Sequence, residues 1–345
     1  MMMKKILYAS ILLTPASSFL TPSSSNVGTR VRKLENIVPL FESNIKDDEE
    51  RDSQERRDFL IAAGSATMLP FIPSAFAESN ISNSPICVIG ANGKTGSECV
   101  DACISRGINV RATSRGGVYT GEYSSEQFLS TAPCDVTISS TVDAAIKGSQ
   151  AVIFAASASK AGGTAAAVDN IGLTNVASSC IRQGIPHLVI VSSGAVTKPS
   201  SPVYKFLNLF GNIMAEKIKG EDTVRELYKD ASSPCTYTVI RPGGLTQELA
   251  RGVSALELNQ GDTKSGRISR ADVAALCIEA TLHSKDSGST TFECYDADTS
   301  KPLGTVGVSN IVKAKNKSDS EVFMSGKERR GETWGDIFVG LENDV

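Results

Sequence analysis

Histidine is nearly absent: His187 and His283 are the only two in 345 residues. A metal centre built on imidazole has almost nothing to draw on, so no metal is expected. Positive charge is not in excess either, with 35 Lys and Arg against 38 Asp and Glu and a net charge of −3. Nucleic acid is therefore not an expected partner, because such binding needs clustered cations to neutralise phosphates. The longest apolar stretches near the start, residues 6–13 and 59–72, fall short of the ~20 residues of a spanning helix. The eight cysteines, Cys87, Cys99, Cys103, Cys134, Cys180, Cys235, Cys277 and Cys294, form neither C-x-x-C nor a zinc spacing. They read as buried thiols, and Cys99 with Cys103, one helical turn apart, as packing. No repeat of roughly 20 to 50 residues is present, which excludes a solenoid.

What is there begins with a segment unlike the rest. Residues 1–18 run from Lys4 and Lys5 through a largely apolar core to Ala16, Ser17 and Ser18, the layout of a secretory signal peptide. Residues 19–55 read as a transit segment or linker, since 20–34 carries Ser, Thr, Arg30, Arg32 and Lys33 but no acid. A signal joined to a transit segment, with Phe19 after the cut, resembles the bipartite plastid leader of algae with complex plastids. The alternative is an ordinary secretory signal followed by unstructured chain. In residues 56–77, Arg56-Arg57 precedes an apolar run that ends at Ala75-Phe76-Ala77, an A-x-A cleavage site. This resembles a twin-arginine signal, which implies delivery to the thylakoid lumen and a mature start near Glu78. An uncleaved anchor on the thylakoid membrane is the competing reading.

Removing the leader leaves roughly 260 residues, the size of one domain. From Pro85 short apolar runs alternate with longer helical patterns, as in a parallel sheet wrapped by helices. Strands are predicted at 86–89, 109–113, 151–155, 188–192, 236–240 and 290–294, with a less regular third strand near 127–130. Ala151-Val152-Ile153-Phe154-Ala155 and Leu188-Val189-Ile190-Val191 are near-continuous apolar runs, as in strands buried on both faces. Helices are predicted at 94–106, 139–147, 165–183, 206–228 and 270–282. The fold class is α/β, a doubly wound parallel sheet in a single domain over residues 85–300. Residues 301–345 form a polar tail in which Trp334, Ile337, Phe338 and Leu341 are spaced for one short amphipathic helix. Docking on its own domain is the simpler arrangement, and docking on a partner the other.

The predicted strand Ile86-Cys87-Val88-Ile89 runs directly into Gly90-Ala91-Asn92-Gly93-Lys94-Thr95-Gly96 and a helix, the context a dinucleotide fingerprint requires. Gly90 permits the tight turn, Gly93 lets main-chain amides approach a pyrophosphate, and Gly96 allows close helix packing. The helix N-terminus then faces the anion. A P-loop reading of Gly93-Lys94-Thr95 needs a glycine where Val88 stands. The domain is therefore of Rossmann type. At the end of the second strand, where an NAD site places an acid for the ribose hydroxyls, the chain reads Thr113-Ser114-Arg115. A guanidinium there suits a 2′-phosphate, so NADP(H) is expected over NAD. Asp135 and Val136 should flank the adenine, and Ala155, Ala156 and Ser157 should run beneath the cofactor.

These residues, with Val168-Asp169-Asn170-Ile171-Gly172, Val189-Ile190-Val191-Ser192-Ser193, Arg241-Pro242-Gly243-Gly244-Leu245 and Ile268-Ser269-Arg270-Ala271-Asp272-Val273-Ala274, resemble an atypical short-chain dehydrogenase/reductase of the NmrA-like NAD(P)-binding kind. The resemblance implies cofactor contacts from Ser192, Pro242 and Gly243. It also implies a Tyr-x-x-x-Lys pair after the Ser-Ser strand, in which lysine lowers the phenol pKa and tyrosine passes the proton. Here Lys217 supplies the lysine, but Ile213 stands in the tyrosine position. Tyr204 is the remaining candidate donor, although Asn208 rather than lysine follows it one turn later. Lys217 would bind the nicotinamide ribose or sit on the surface. Ser193 would bind a substrate carbonyl or satisfy backbone groups. Ser269 reads as a helix cap.

Two functions follow. One is an NADPH-dependent reductase or isomerase of a small molecule in the plastid, an oxidoreductase without the standard tyrosine. The other is a nonenzymatic NADP(H) redox sensor or an assembly factor whose partner is a photosynthetic protein complex. Residues 246–266, which the element order places over the nicotinamide end, carry no pattern that names a substrate.

Overall fold

The computed structural model describes residues 83–123, 127–159, 162–209, 211–231, 234–303 and 324–344. The leader readings for residues 1–18, 19–55 and 56–77 lie outside the described residues, as does part of the tail.

The central sheet has the order β3-β2-β1-β4-β5-β6-β11-β8. Its strands are β1 Ile86–Ile89, β2 Val110–Ser114, β3 Leu129–Pro133, β4 Ala151–Phe154, β5 His187–Val191, β6 Thr236–Pro242, β8 Leu256–Asn259 and β11 Thr290–Asp296. Neighbours are parallel except β8, which runs antiparallel to β11 at the edge. Strand order reverses between β1 and β4, which opens a crevice at their carboxyl ends, where ligands bind in sheets of this topology.

Alternation along β1 shows why both faces are covered. Ile86 and Val88 enter one core, with helices α1 (Lys94–Ser105) and α6 (Arg270–Leu282). Cys87 and Ile89 enter the other, with α2 (Ser139–Ile146), α3 (Leu173–Gln183) and α5 (Ile213–Lys229). All eight cysteines are free and buried in or beside these layers. Burial pushes the Cys87 thiol up to about 12, which leaves it unreactive at neutral pH. The neighbouring Cys277 thiol and burial push the Cys99 thiol well above its ordinary range.

Three predicted elements differ in the structure. The third strand lies later than 127–130, at Leu129–Pro133, because its register comes from pairing with β2 and its side chains are largely exposed. The helix predicted over 206–228 is two, α4 (Pro202–Asn208) and α5. Gly211 and Asn212 between them take φ of 104° and 58°, and Asn208 Oδ1 accepts the Met214 amide at 3.2 Å to start α5. The helix predicted over 165–183 opens as a π-helical turn, Ala166–Gly172, before becoming α3. Gly184, at φ 64°, ends α3, and the Ser269 hydroxyl caps α6 by accepting the Asp272 amide at 2.9 Å.

Short strands organise the chain beyond β6. β7 (Gly244–Thr246) pairs with β10 (Arg267–Ser269), and β9 (Lys264–Ser265) with β12 (Lys301–Pro302). The C-terminal segment borders the edge strand: Arg329 exchanges backbone hydrogen bonds with Leu258 at 2.8 and 2.9 Å. Helix α7 (Trp334–Phe338), opened by a capping box between Thr333 and Asp336, buries Ile337 and Phe338 in the α1/α6 core. Phe338 lies 6.0 Å from Phe292 of β11, centroid to centroid. Nearby, the Asp344 carboxylate accepts from Thr291, Tyr237 and Arg225 at 2.6, 3.0 and 3.2 Å.

Candidate functional site

At the carboxyl end of β1, Gly90 has φ 84°, a left-handed conformation that favours glycine. A Cβ there would lie 2.8 Å from the Ala156 backbone, so the turn is pressed against the end of β4. The Gly93 amide donates to Gly90 O at 2.9 Å and the Ala91 amide to Thr113 O at 3.1 Å. A Cβ on Gly96 would meet Gly90 O at 2.2 Å, which is how closely α1 sits on the turn. Gly93 is the N-cap of α1, with no side-chain cap and no acid in the first turn. Its amides and positive end are thus left for an anion. These residues fit a dinucleotide pyrophosphate. Lys94 is exposed and Thr95 half-buried on the first turn.

On the β2 side of the crevice, the Asn92 side chain grips the loop after β2, donating to Val118 O at 2.9 Å and accepting from the Thr120 amide at 3.0 Å. Asn92 therefore shapes the loop that borders the crevice. Arg115 is exposed at the end of β2. Asp135 follows β3, where the Thr137 hydroxyl and amide, at 2.7 and 3.0 Å, hold its carboxyl below the ordinary range, with a smaller contribution from Arg115. Val136 is buried, and a Cβ on Gly172 would stand 2.6 Å from its Cγ2.

Beneath the crevice, the Ala155 amide donates to Ile89 O at 2.9 Å, and the Ser157 hydroxyl to Asp169 Oδ1 at 2.8 Å. Asp169 also accepts the Ala158 amide at 2.9 Å and pairs with the Lys217 ammonium at 2.8 Å. The acid is fully buried and the lysine nearly so. Lys217, brought by α5, is thereby fixed beside the end of β4 rather than waving on the surface. A Cβ on Gly220 would lie 2.4 Å from Asp169 O, so glycine lets α5 approach closely enough for this pair.

On the other side of the crevice, Ser192 and Ser193 follow β5. The Ser192 hydroxyl donates to Glu221 Oε1, while the Ser193 hydroxyl donates to Gly194 O at 3.1 Å. Gly194 N reaches Pro242 O at 2.8 Å, and Gly243 packs so tightly that a Cβ would meet Gly266 O at 2.3 Å. Tyr204 lies on α4, its ring half-buried in an apolar cluster with Val203, Leu207, Ile213 and Met214. Ile213 occupies the position where a phenol would precede Lys217 by one turn.

Sequence reasoning quoted Asp169 within a family motif without giving it a role, and missed the other acids behind these groups, Glu221, Asp262 and Glu293. Burial pushes the Glu221 carboxyl up, but Arg241, Arg225 and the Ser192 hydroxyl outweigh it and hold the group below its ordinary range. Burial, with Asp262 adding to it and Arg241 opposing, pushes Glu293 up to about 7. The signal available was an acid inside an otherwise apolar helical pattern, as at Ala166-Ala167-Val168-Asp169, because a buried acid requires a partner.

A family model described as NAD(P)H-binding matches residues 90–284. An uncharacterized chloroplastic protein of Arabidopsis thaliana is 33% identical over 225 residues, covering 61% of this chain and 76% of its own length. Sanguinarine reductase of Eschscholzia californica is 37% identical over 119 residues, 33% of this chain and 40% of that protein. The crystal structure of the oxidoreductase ylbE from Lactococcus lactis superposes with TM-score 0.50 at 17% identity, covering 61% of this chain and 90% of that one, a likeness of fold. With the glycine turn, the strand order and the matched residues in agreement, the chain belongs to the NAD(P)H-binding family and carries its Rossmann-type fold.

Proposed function

We propose that the protein binds NADP(H) in the crevice between β1 and β4 and acts as an NADPH-dependent reductase or isomerase of a small molecule in the plastid. The observation that carries this reading is the turn at Gly90, closed against Ala156 on one side and leading into the uncapped N-terminus of α1 on the other. Arg115, where an NAD site would carry an acid, supports a 2′-phosphate. The bound cofactor would supply the hydride. The chain's own part is to hold Lys217 at the crevice through Asp169, as a cation of set position for the nicotinamide ribose hydroxyls. Ser193 and Tyr204 are the candidate partners for a substrate oxygen. With Ile213 in place of the phenol, the acceptors that fit best take their proton from water, quinones among them. The chloroplastic relative supports a plastid location, and the paired leader of the sequence supports passage to the thylakoid lumen.

Calorimetric titration of the full chain with NADPH and NADH tests this reading. Tight NADPH binding and weaker NADH binding are expected; no heat from either would overturn it. A second reading, a redox sensor or an assembly factor for a photosynthetic complex, rests on Ile213. It prevails where NADPH binds tightly but is oxidised with no member of a carbonyl and quinone panel. Sequencing the mature N-terminus tests the lumen, since a start far upstream of Glu78 would remove that location.

A further inference from the structure

Residues 192–197, the loop after β5, contain a backbone strain that the family match leaves unexplained. Ala195 has φ 67°, a left-handed conformation that a residue with a Cβ rarely adopts. Its amide donates to Asp262 Oδ1 at 2.6 Å, and the Thr197 amide and hydroxyl donate to Oδ2 at 3.0 and 2.8 Å. Both carboxylate oxygens of Asp262 thus serve one loop. Asp262 is fully buried and itself left-handed, at φ 56°. Its amide donates to Glu293 Oε2 at 2.9 Å, and Glu293 Oε1 accepts from Arg241 Nη1 at 3.3 Å. Arg241 Nη2 donates to Glu221 Oε2 at 2.6 Å, and Glu221 accepts the Ser192 hydroxyl. One buried chain of side chains therefore grips the loop at both ends, at Ser192 and at Ala195 with Thr197.

A turn that only connected two elements would place glycine at a left-handed position without penalty. Here two residues with side chains are held there by their contact with each other, the kind of over-determined strain that accompanies ligand sites. The loop's side chains are fixed too: Ala195 and Val196 are buried in the cluster that packs against Tyr204 and Ile213. Between the two grips stand Ser193 and Gly194, at the crevice end of β5.

We propose that Asp262 is a positioning residue for the nicotinamide half of the dinucleotide site, holding residues 192–197 in the conformation that half requires. This rests on the reading that the chain binds NADP(H). On that reading the Gly90 turn and residues 115–120 after β2 serve the adenosine half, and among the described residues the hydrogen bonds of Asp262 go instead to Ala195, Thr197 and Glu293.

The test compares NADPH with 2′-phospho-ADP-ribose, which lacks the nicotinamide, on the full wild-type chain and on Asp262→Asn. The substitution should weaken NADPH by about tenfold while 2′-phospho-ADP-ribose changes by less than about twofold. Where Asp262→Asn does not fold, Thr197→Val removes only one of the three donors and should give a split of the same sense, about threefold. Equal weakening of both ligands, the mark of a merely structural role, would overturn the proposal, and so would no change in either. A wild-type chain that binds neither ligand overturns the nucleotide reading and this proposal with it. Wild type that binds both, with variants that show no split, overturns this proposal alone.

Discussion

The two halves of the crevice are built by different physics. The half to which the proposed reading assigns the adenosine comes from contiguous chain: a strand, a turn of three glycines and a helix start, with Asn92 pinning the next loop. Its geometry rests on backbone hydrogen bonds and on space that a Cβ would fill. The half to which the proposed reading assigns the nicotinamide is assembled from β5, α5, β6, β11 and the turn at Asp262, and buried ions hold it. Local backbone geometry resists substitution only where an atom is added, whereas a buried ionic chain fails when any one member is removed, because the remaining charges stay desolvated.

The largest break in that comparison is expected at Arg241. Arg241→Met leaves Glu293 without a cationic partner and Glu221 with Arg225 as its remaining cation, and should destabilise the fold by about 3–5 kcal/mol, read as a lower urea midpoint. The folded fraction should still bind 2′-phospho-ADP-ribose; its loss would mean the two halves are not separable. Next is the pH response of Glu293, whose carboxyl rises from an ordinary 4.5 to about 7. A carboxyl raised in the folded state binds an extra proton there between those values. The stabilisation is full below about 4.5 and is lost as pH rises through about 7. Glu293→Gln mimics the protonated form and should remove up to about 3 kcal/mol of the decline in wild-type stability between acidic and alkaline buffer. Parallel pH profiles for the two proteins would contradict it.

In the adenosine half, Gly96→Ala forces a Cβ into Gly90 O. It should cost about 2 kcal/mol of stability and most of the NADPH affinity, checked by unfolding and calorimetry on the same sample. The smallest effect is expected from Arg115→Asp: NADPH should weaken about tenfold more than NADH, and equal losses would remove the case for a 2′-phosphate.

The sequence made the adenosine half legible because each part is a short-range pattern. The run Ile86-Cys87-Val88-Ile89 followed by spaced glycines specifies strand, turn and helix without reference to distant chain, and the structure places all three there. Errors arose where distant partners decide. β3 takes its register from β2, and the Gly211-Asn212 break interrupts a helical pattern that periodicity alone carries through. β8, Leu256–Asn259, alternates apolar with polar residues although every one of them is buried. Glu257 tolerates burial because Lys264 and Arg330 reach it at 2.6 and 2.5 Å, partners that no local pattern announces.

Sequence by itself determined the α/β class, the crevice-forming turn and the identities of Ile213 and Lys217, one helical turn apart. All of these are identities or short-range spacings, set by backbone sterics and side-chain period. Only the tertiary structure decided that Lys217 faces Asp169, that Ser192 and Ala195 belong to one buried chain, and that the C-terminal segment seats Phe338 in the core. The physical reason is burial. A charge removed from water must find its partner wherever the fold brings one, and that meeting is a property of three dimensions.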